Sequence, residues 1–446
     1  MEIKEKECYN PVIKAEGENT AMSETKTVRI GAVGISGRGS GMLDLLLQIP
    51  GVVCPAVCDK VPERAERGLE IVKNSKSYTG YDVHSYLDYK ELIAKEQLDA
   101  LVIFTTWITH SRIAIAAMNA GLNVAFEVGG AASIEECWEL VRTSERTGKF
   151  CMLLENCCFD RKEMALFNMV KKGLFGEVVH CEGGYRHDLR DEICLGRENI
   201  HGRLFNFQNR NGELYPTHQL GPISKVLGIN RGNRMISLVS MASKSRGLNE
   251  WIKNNKGEDY DLYGYDFAEG DVVTTIIKCA HGETITLTHD CCLPRPYSRN
   301  YVIQGTKGCF MEISDRNALL VMDNVTKSSH EWEHFDEHID KFDHPLWCKY
   351  TKDGVKAGHG GMDYLVLSAF VEAAKDNLTP PIDVYDTATW MAITCLSEQS
   401  VAMGGMPVPI PDFTNGMWID REPYRRGVYC LEEVCEDFFT DTAEGE

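Results

Sequence analysis

Tyr215, Pro216, Thr217 and His218 stand in a row within "RNGELYPTHQLGPI", residues 210–223, at what reads as the entrance to a helix. An imidazole titrates near neutrality and a phenol near ~10, so the stretch offers two proton carriers of different strength. The plain structural alternative is a core tyrosine ahead of a helix-starting proline, followed by a satisfied first-turn histidine. A second chemical signal lies in "GISGRG", which fits G-x-S-x-x-G from Gly34 to Gly39, with Ser36 where the dinucleotide fingerprint has its second glycine. Gly34, Ser36, Gly37, Arg38 and Gly39 are therefore expected at a dinucleotide. Gly37, Gly39 and Gly41 would let backbone approach phosphates at a helix N-terminus. Asp59 follows Gly34 by 25 residues (59 − 34 = 25) and ends the next strand. A carboxylate there accepts from ribose hydroxyls and repels a 2′-phosphate, which predicts NAD rather than NADP, with Lys60 the residue that softens the preference. A helix cap before "VPERAER" is the alternative for Asp59. "HEWEHFDEH" sets His330, His334 and His338 at i, i+4 and i+8, one face of an expected helix. Such spacing can bind a divalent metal, but no open catalytic position is evident, so an exposed charged helix is the favoured reading and no metal is expected.

The elements that must position these residues follow from periodicity. "TVRIGAVG" reads as a strand and "ISGRGSGMLDLLLQI" as a helix after a glycine turn. The alternation repeats through strands at "VVCPAVCDK", "LDALVIFTT", "NVAFEV" and "FCMLLEN", with helices over 62–73, 109–120 and 133–147. That is the rhythm of right-handed crossovers and a parallel sheet covered on both faces. Past Asn156 comes a helix over 160–172, then strand-like runs at 177–185, 235–241, 271–279, 283–290, 301–305 and 308–313. Helices over 362–376 and 385–402 close the core. The expected class is α/β: a Rossmann dinucleotide-binding domain over 27–157 and an α+β substrate domain over 158–430 with an open, mainly antiparallel sheet. A polar leader, 1–26, precedes them and an acidic tail, 431–446, follows; that tail and the loop 243–265 read as solvated, and no internal repeat is present.

A chain of 446 residues with 43% hydrophobic residues exceeds one core, which supports two domains. The formal charge of −19, from 47 basic and 66 acidic residues, repels nucleic-acid backbones and anionic lipid, and no basic patch overrides it. The 17 cysteines are odd in number, include two adjacent pairs and form no C-x-x-C, which suits reduced thiols. With no apolar h-region in the first 26 residues, a cytoplasmic location is expected.

Strand-turn-helix followed by an open antiparallel domain resembles the Gfo/Idh/MocA group of nicotinamide-dependent sugar oxidoreductases. Those enzymes usually pair a lysine of an "EKP" motif after the fifth strand with a distant histidine. Here Glu127-Val128-Gly129 stand at that place and the lysine is absent. One branch lacks it too, and the chain resembles that branch along almost all its folded length: glycoside hydrolase family 109, NAD-dependent glycosidases typified by bacterial α-N-acetylgalactosaminidase. The matching blocks are "TTWITH", "EV", "LLENC", "GEVVHCEGGYRHDLR", "RNGELYPTHQLGP", "INRG", "PRPYSRNYVIQGTKG", "HPLW", "GHGGMD" and "PDFTNG". The resemblance implies that Trp107, Ile108, Thr109, His110, Glu127, Val128 and Asn156 line NAD. It also implies that Glu155, Tyr185, Arg203, Tyr215, His218 and Tyr297 surround the sugar, with Pro216 and Thr217 in the same stretch. Gly202 stands where the family usually has a tryptophan before the arginine, and "LFNFQN" lacks a histidine often found nearby, so the platform under the sugar or its aglycone differs here.

Ordinary glycosidases set two carboxylates across the bond, whereas the matched set supplies one, Glu155. A redox route accounts for that inventory: NAD takes hydride from C3, the ketone acidifies the C2 hydrogen, loss of that proton expels the C1 substituent, water adds, and the hydride returns. His218 is expected to handle the 3-hydroxyl proton and Tyr185 or Tyr215 the C2 proton, with Arg203 favouring the phenolate. Arg203 and Tyr297 would steady the enolate oxygen. The expected substrate is a small-molecule glycoside, the expected role is in carbohydrate metabolism and the expected assembly a homodimer. A sugar dehydrogenase consuming free NAD and a non-catalytic nucleotide-loaded sugar sensor are the alternatives. His359 in "GHGGMD" either reaches the cleft or follows a glycine turn.

Overall fold

The computed structural model describes residues 26–439 apart from Asp315, Ala357, Glu422, Tyr424 and Arg425, so nearly all of the polar leader and the last seven residues lie outside the described residues. Short runs of two to six residues, apolar and buried except for the polar, largely exposed β4, form β1 (Val28–Val33), β2 (Val52–Val53), β3 (Ala56–Cys58), β4 (His84–Tyr86), β5 (Ala100–Ile103), β6 (Asn123–Phe126) and β7 (Cys151–Leu153). All pair in parallel, in the order β4-β3-β1-β5-β6-β7, with β2 beside β1. Between them run α1 (Gly37–Leu46), α2 (Pro62–Asn74), α3 (Tyr89–Lys95), α4 (Trp107–Asn119) and α5 (Ile134–Thr147). Their ends follow local chemistry: the Ser133 side chain accepts the Glu136 amide at the start of α5, and Gly148 closes it at φ 65°.

The second half opens with α6 (Arg161–Lys171) and β8 (Val178–Arg186), then α7 (Arg190–Cys194), α8 (Arg203–Asn209) and α9 (Thr217–Val226). After them come β9 (Met235–Ala242), α10 (Gly247–Asn255), β10 (Val272–Cys279), β11 (Thr284–Asp290), β12 (Val302–Gly305), β13 (Gly308–Ser314), β14 (Asn317–Met322) and β15 (Glu333–His334). The chain finishes with α11 (Ile339–Phe342), α12 (Pro345–Asp353), α13 (Met362–Asp376), α14 (Val384–Ala402) and β16 (Val408–Pro409). The nine strands run β15-β14-β13-β12-β8-β11-β10-β9-β16. Neighbours are antiparallel except β8 and β11, whose parallel register aligns Tyr185 with His289. The class is therefore α/β with a mainly antiparallel second sheet, as the pattern predicts. Among the described residues no helix is long and apolar enough to cross a membrane.

Three expectations are corrected. Residues 330–338 form no helix: Glu333 and His334 pair with β14, and the following 3-10 turn buries Phe335 against Phe310, so the three histidines share no helical face. The loop 243–265 contains α10, whose Leu248 and Ile252 are buried. The start of the acidic tail is packed rather than solvated, since Leu431, Glu432 and Cys435 are buried and Glu432 pairs with Arg231.

Candidate active site

The segment 210–218 is held by its own backbone donors. Gly212 N donates to Glu269 Oε2 (2.9 Å), Glu213 N to Ser397 Oγ (2.8 Å) and Tyr215 N to Glu213 Oε1 (3.3 Å). Pro216 then caps α9, its carbonyl accepting the Leu220 amide. Gly221 explains why this helix sits so close to the end of β7: a Cβ there would meet Cys158 Sγ at 2.9 Å and Glu155 Cγ at 3.0 Å. With that approach allowed, His218, one turn earlier on the same face, reaches Glu155, and its Nδ1 lies 2.8 Å from Oε1.

Glu155 has no exposed side-chain surface, whereas His218 keeps 13%, so the carboxylate lies behind the imidazole and the imidazole faces the cleft. This changes the part expected of Glu155: it holds and orients His218 and does not surround a ligand. Burial works to raise the Glu155 carboxyl, but the charge on His218 and hydrogen bonds from His218, Thr217 and the Cys157 amide outweigh it and hold it below its ordinary value. Thr217 and Pro216 are buried, leaving His218 as the partly accessible residue of Pro216-Thr217-His218.

The aromatic rings gather as the resemblance implies. Tyr185 and Tyr215 lie 4.5 Å apart, Tyr215 and His218 4.9 Å, Trp107 and Tyr215 5.3 Å, and Tyr185 and Tyr297 6.0 Å between centroids. The Arg203 guanidinium carbon lies 5.0 Å from the Tyr215 ring, 5.4 Å from Trp107 and 5.6 Å from Tyr185, a cation enclosed by three π faces. Its Nε is 2.7 Å from Glu192 Oε1 without hydrogen-bond alignment, and Nε and Nη1 have no hydrogen-bond partner. Burial opposes the Arg203 charge, yet the two phenols and Glu192 keep its pKa above the usual value. Burial pushes Tyr185 up to about 12 and Tyr215 well above its ordinary value despite Arg203, so both phenols are neutral at rest. A Cβ on Gly202 would meet Thr106 Cγ2 at 2.9 Å, so a tryptophan at this position would displace the α4 entrance.

At the other end of the cleft α1 starts with no side-chain cap, and a Cβ on Gly37 or Gly41 meets no protein atom, which leaves room for a ligand at the first-turn amides. Gly39 is required by packing, because its Cβ would lie 1.9 Å from Gly34 O. Asp59 Oδ2 accepts from Ile35 N (2.7 Å) and Oδ1 from Val61 N (2.9 Å), tying the glycine turn to the start of α2 while leaving lone pairs for hydroxyl donors. Arg38 Nε donates to Glu127 Oε1 (2.8 Å), and its Nη1 and Nη2 donate to the two Asp363 oxygens (2.6 and 2.9 Å). Asn156 Nδ2 also donates to Asp363 Oδ1 (2.7 Å), and His359 Nδ1 lies 2.7 Å from Oδ2. Asp363 was not anticipated; it sits in the matched "GHGGMD" block but belongs to no nucleotide fingerprint. Val128, at the place of the family's lysine, is buried, and Ile108 is exposed beside Thr109 at the mouth. His110 departs from expectation: it is fully buried, with Nε2 2.8 Å from Thr105 O, and burial lowers its pKa to about 4, so it holds the β5–α4 turn instead of lining a ligand. Glu155, Cys157 and His218 bring ligand atoms within 4.8 Å of one another, but burial pushes the Cys157 thiol well up and Arg299 Nη1 lies 3.0 Å from its sulfur, a poor setting for a cation.

Two family models match the chain: an oxidoreductase family with an NAD-binding Rossmann fold over residues 28–154, and the C-terminal domain of glycosyl hydrolase 109 over 159–420. An α-N-acetylgalactosaminidase of Tannerella forsythia is 39% identical over 420 residues, covering 89% of this chain and 88% of its own. One of Shewanella oneidensis is 38% identical over 406 residues, covering 89% and 87%. Among solved structures, scyllo-inositol dehydrogenase from Lactobacillus casei with bound NAD(H) and scyllo-inositol superposes with TM-score 0.59 at 14% identity, over 86% of this chain and 99% of its own. These solved neighbours share the fold.

Proposed function

Because the chain belongs to glycosyl hydrolase family 109, we propose that it releases α-linked N-acetylgalactosamine, or a related hexose, by a redox-elimination-addition-reduction route on tightly held NAD. The two relatives named α-N-acetylgalactosaminidase support the sugar. The observation that carries the chemistry is the carboxylate geometry. Glu155 is sealed beneath His218, and Glu192 is committed to Arg203 and His201, so neither resembles an acid/base pair facing a glycosidic bond.

The open first turn of α1 and the room over Gly37 and Gly41 fit a dinucleotide. Gly34, Ser36, Gly37, Arg38, Gly39 and Asp59 would hold its phosphates and adenosine ribose, and Trp107, Glu127, Val128 and Asn156 its nicotinamide end. NAD supplies a reversible two-electron acceptor at the third carbon of the sugar. His218, with Nδ1 turned to Glu155, presents Nε2 for the proton of the 3-hydroxyl. A phenol of the Tyr185/Tyr215 pair takes the C2 proton. Arg203 Nη1, which has no hydrogen-bond partner, steadies the enolate oxygen, where fixed dipoles in a dry site act most strongly. A lysine at position 128 would favour dehydrogenase chemistry; Val128 removes it.

An aryl α-N-acetylgalactosaminide assay tests the reading. Release of p-nitrophenol without NADH accumulation, and deuterium at C2 of sugar released in D2O, are expected; stoichiometric NADH indicates a dehydrogenase, and tight binding without turnover a sensor. We further propose a homodimer formed through the outer face of the nine-stranded sheet, where Ile276 (45% exposed) and Met241 (63% exposed) lie on one side of β10 and β9. A cytoplasmic location is proposed on the reduced thiols of cysteines buried in the parallel-sheet half, among them Cys54, Cys58, Cys137 and Cys151.

A further inference from the structure

Arg246, Glu250 and Lys253 fall at i, i+4 and i+7 from the N-cap of α10, one face of the helix, while Leu248 and Ile252 are buried on the other. Gly247 lets this helix press on the chain beyond β11, where a Cβ would lie 1.7 Å from Cys292 O. Beside that contact a cavity of about 540 Å³, the size of a small-molecule site, is walled by the charged face of α10, Arg190 of α7, Pro294 and Tyr263, whose ring is exposed. The lining holds three bases, Arg190, Arg246 and Lys253, and one acid, Glu250, in a chain whose formal charge is −19. Among the described residues neither Arg246 nor Lys253 forms an ion pair. Arg190 gives Nε and Nη2 to Asp188 (2.8 Å each), which leaves Nη1, and Glu250 accepts from Asn254 Nδ2 (2.9 Å). Asn249 Oδ1, in the same wall, is buried without a hydrogen-bond partner.

The cavity adjoins the sugar site along two segments. Arg190 shares α7 with Glu192, whose Oε1 lies 2.7 Å from Arg203 Nε. Pro294 precedes Tyr297 by three residues, an extended reach of at most about 11 Å, and the Tyr297 ring lies 6.0 Å from that of Tyr185. From this placement we propose that the cavity is an aglycone subsite for an anionic saccharide. The sugar on the far side of the scissile bond carries a carboxylate or sulfate, which Arg246, Lys253 and the remaining Arg190 nitrogen bind. Tyr263 packs on an apolar face of that sugar and Asn249 accepts one of its hydroxyls. The inference rests on the glycosidase reading above and names the class of aglycone. A guanidinium meets a carboxylate or sulfate with parallel hydrogen bonds, and the Lys253 ammonium adds a point charge. Because the subsite touches only the aglycone, it enters KM and leaves the chemistry at C1 to C3 unchanged.

The test uses NAD-loaded full-length protein with p-nitrophenyl α-N-acetylgalactosaminide and three disaccharides, in which α-linked N-acetylgalactosamine is joined to a hexose, to the corresponding hexuronic acid or to the 6-sulfated hexose. At low salt the better of the two anionic disaccharides is expected to show a KM about tenfold below the neutral one, a gap that closes in about 0.5 M salt. The lower KM of the two identifies the anion. Lys253→Gln and Arg246→Gln should each raise that KM about three- to tenfold with kcat unchanged, and leave the aryl glycoside as in wild type. Equal KM for all three disaccharides in the wild type overturns the proposal, as does a Lys253→Gln/Arg246→Gln double variant that keeps the wild-type preference. Calorimetry with sulfur-linked, uncleavable disaccharides reads the cavity without turnover. Preference for the anionic form there, beside an aryl glycoside that releases no p-nitrophenol, would uphold the subsite and remove the glycosidase reading, so the two fail separately.

Discussion

Glu155→Gln keeps the side chain's shape and deletes its charge, which isolates what the buried carboxylate does for His218. Oε1 accepts from His218 Nδ1 at 2.8 Å and from the Cys157 amide at 3.1 Å, with no water contact. A hydrogen bond to a charged acceptor is worth about 1.5–3 kcal/mol and a neutral one about 0.5–1.5 kcal/mol, so His218 loses about 1–1.5 kcal/mol of support while it carries the sugar's proton. At about 1.4 kcal/mol per tenfold, kcat should fall about tenfold while KM changes little. The Gln amide would lie beside the Thr217 hydroxyl, which can accept from it, so the fold should tolerate the change. The assay is p-nitrophenol release from the aryl glycoside, with bound NAD measured on the same preparation. A Gln variant turning over at the wild-type rate, with NAD in place, would refute the idea that the carboxylate orients and charges His218.

Four further outcomes are expected. Arg203→Met removes the cation enclosed by Trp107, Tyr185 and Tyr215 and should lower kcat by about 10²–10³-fold with NAD retained, checked by turnover and cofactor absorbance. Asp59→Asn weakens the charged tether to the Ile35 and Val61 amides and removes the repulsion of a 2′-phosphate, so NAD affinity should drop about tenfold and NADP affinity rise relative to it, measured by calorimetry on stripped protein. Burial holds His110 at about 4, below its unfolded value of about 6.5, so its contribution is intact above about pH 6.5 and is lost as pH falls toward 4; that is worth up to about 3 kcal/mol, and His110→Gln should flatten the urea-midpoint profile there. Ile276→Arg should convert the proposed dimer to monomer in sedimentation equilibrium, whereas an unchanged mass would exclude this face.

Most of both sheets is legible because their strands are apolar runs with clear stops: β8 is expected at 177–185 and lies at 178–186, whereas the edge strand β4, His84–Tyr86, is polar and largely exposed and gives no such signal. β14 was missed because its pattern continues from β13 with only a short turn between them. The expected helix at 330–338 failed because its charged periodicity was overridden by burial of Phe335 and pairing with β14. At the site, residue types were readable but depth was not. Nothing local says that Glu155 and His110 are fully enclosed, since that depends on how α9 and α4 pack on the first sheet. Asp363 could not be found locally either, its partners Arg38 and Asn156 being 325 and 207 residues away.

The clamp on Arg38 makes its position a joint property of both halves of the chain. Glu127 belongs to the first half and Asp363 to α13 of the second. Splicing residues 28–154 onto a foreign catalytic half would transplant the doubly wound sheet and its glycine turn, yet leave this guanidinium with one of its two acidic anchors and free to swing. Swapping modules in this architecture therefore means carrying the partner helix along with the fingerprint.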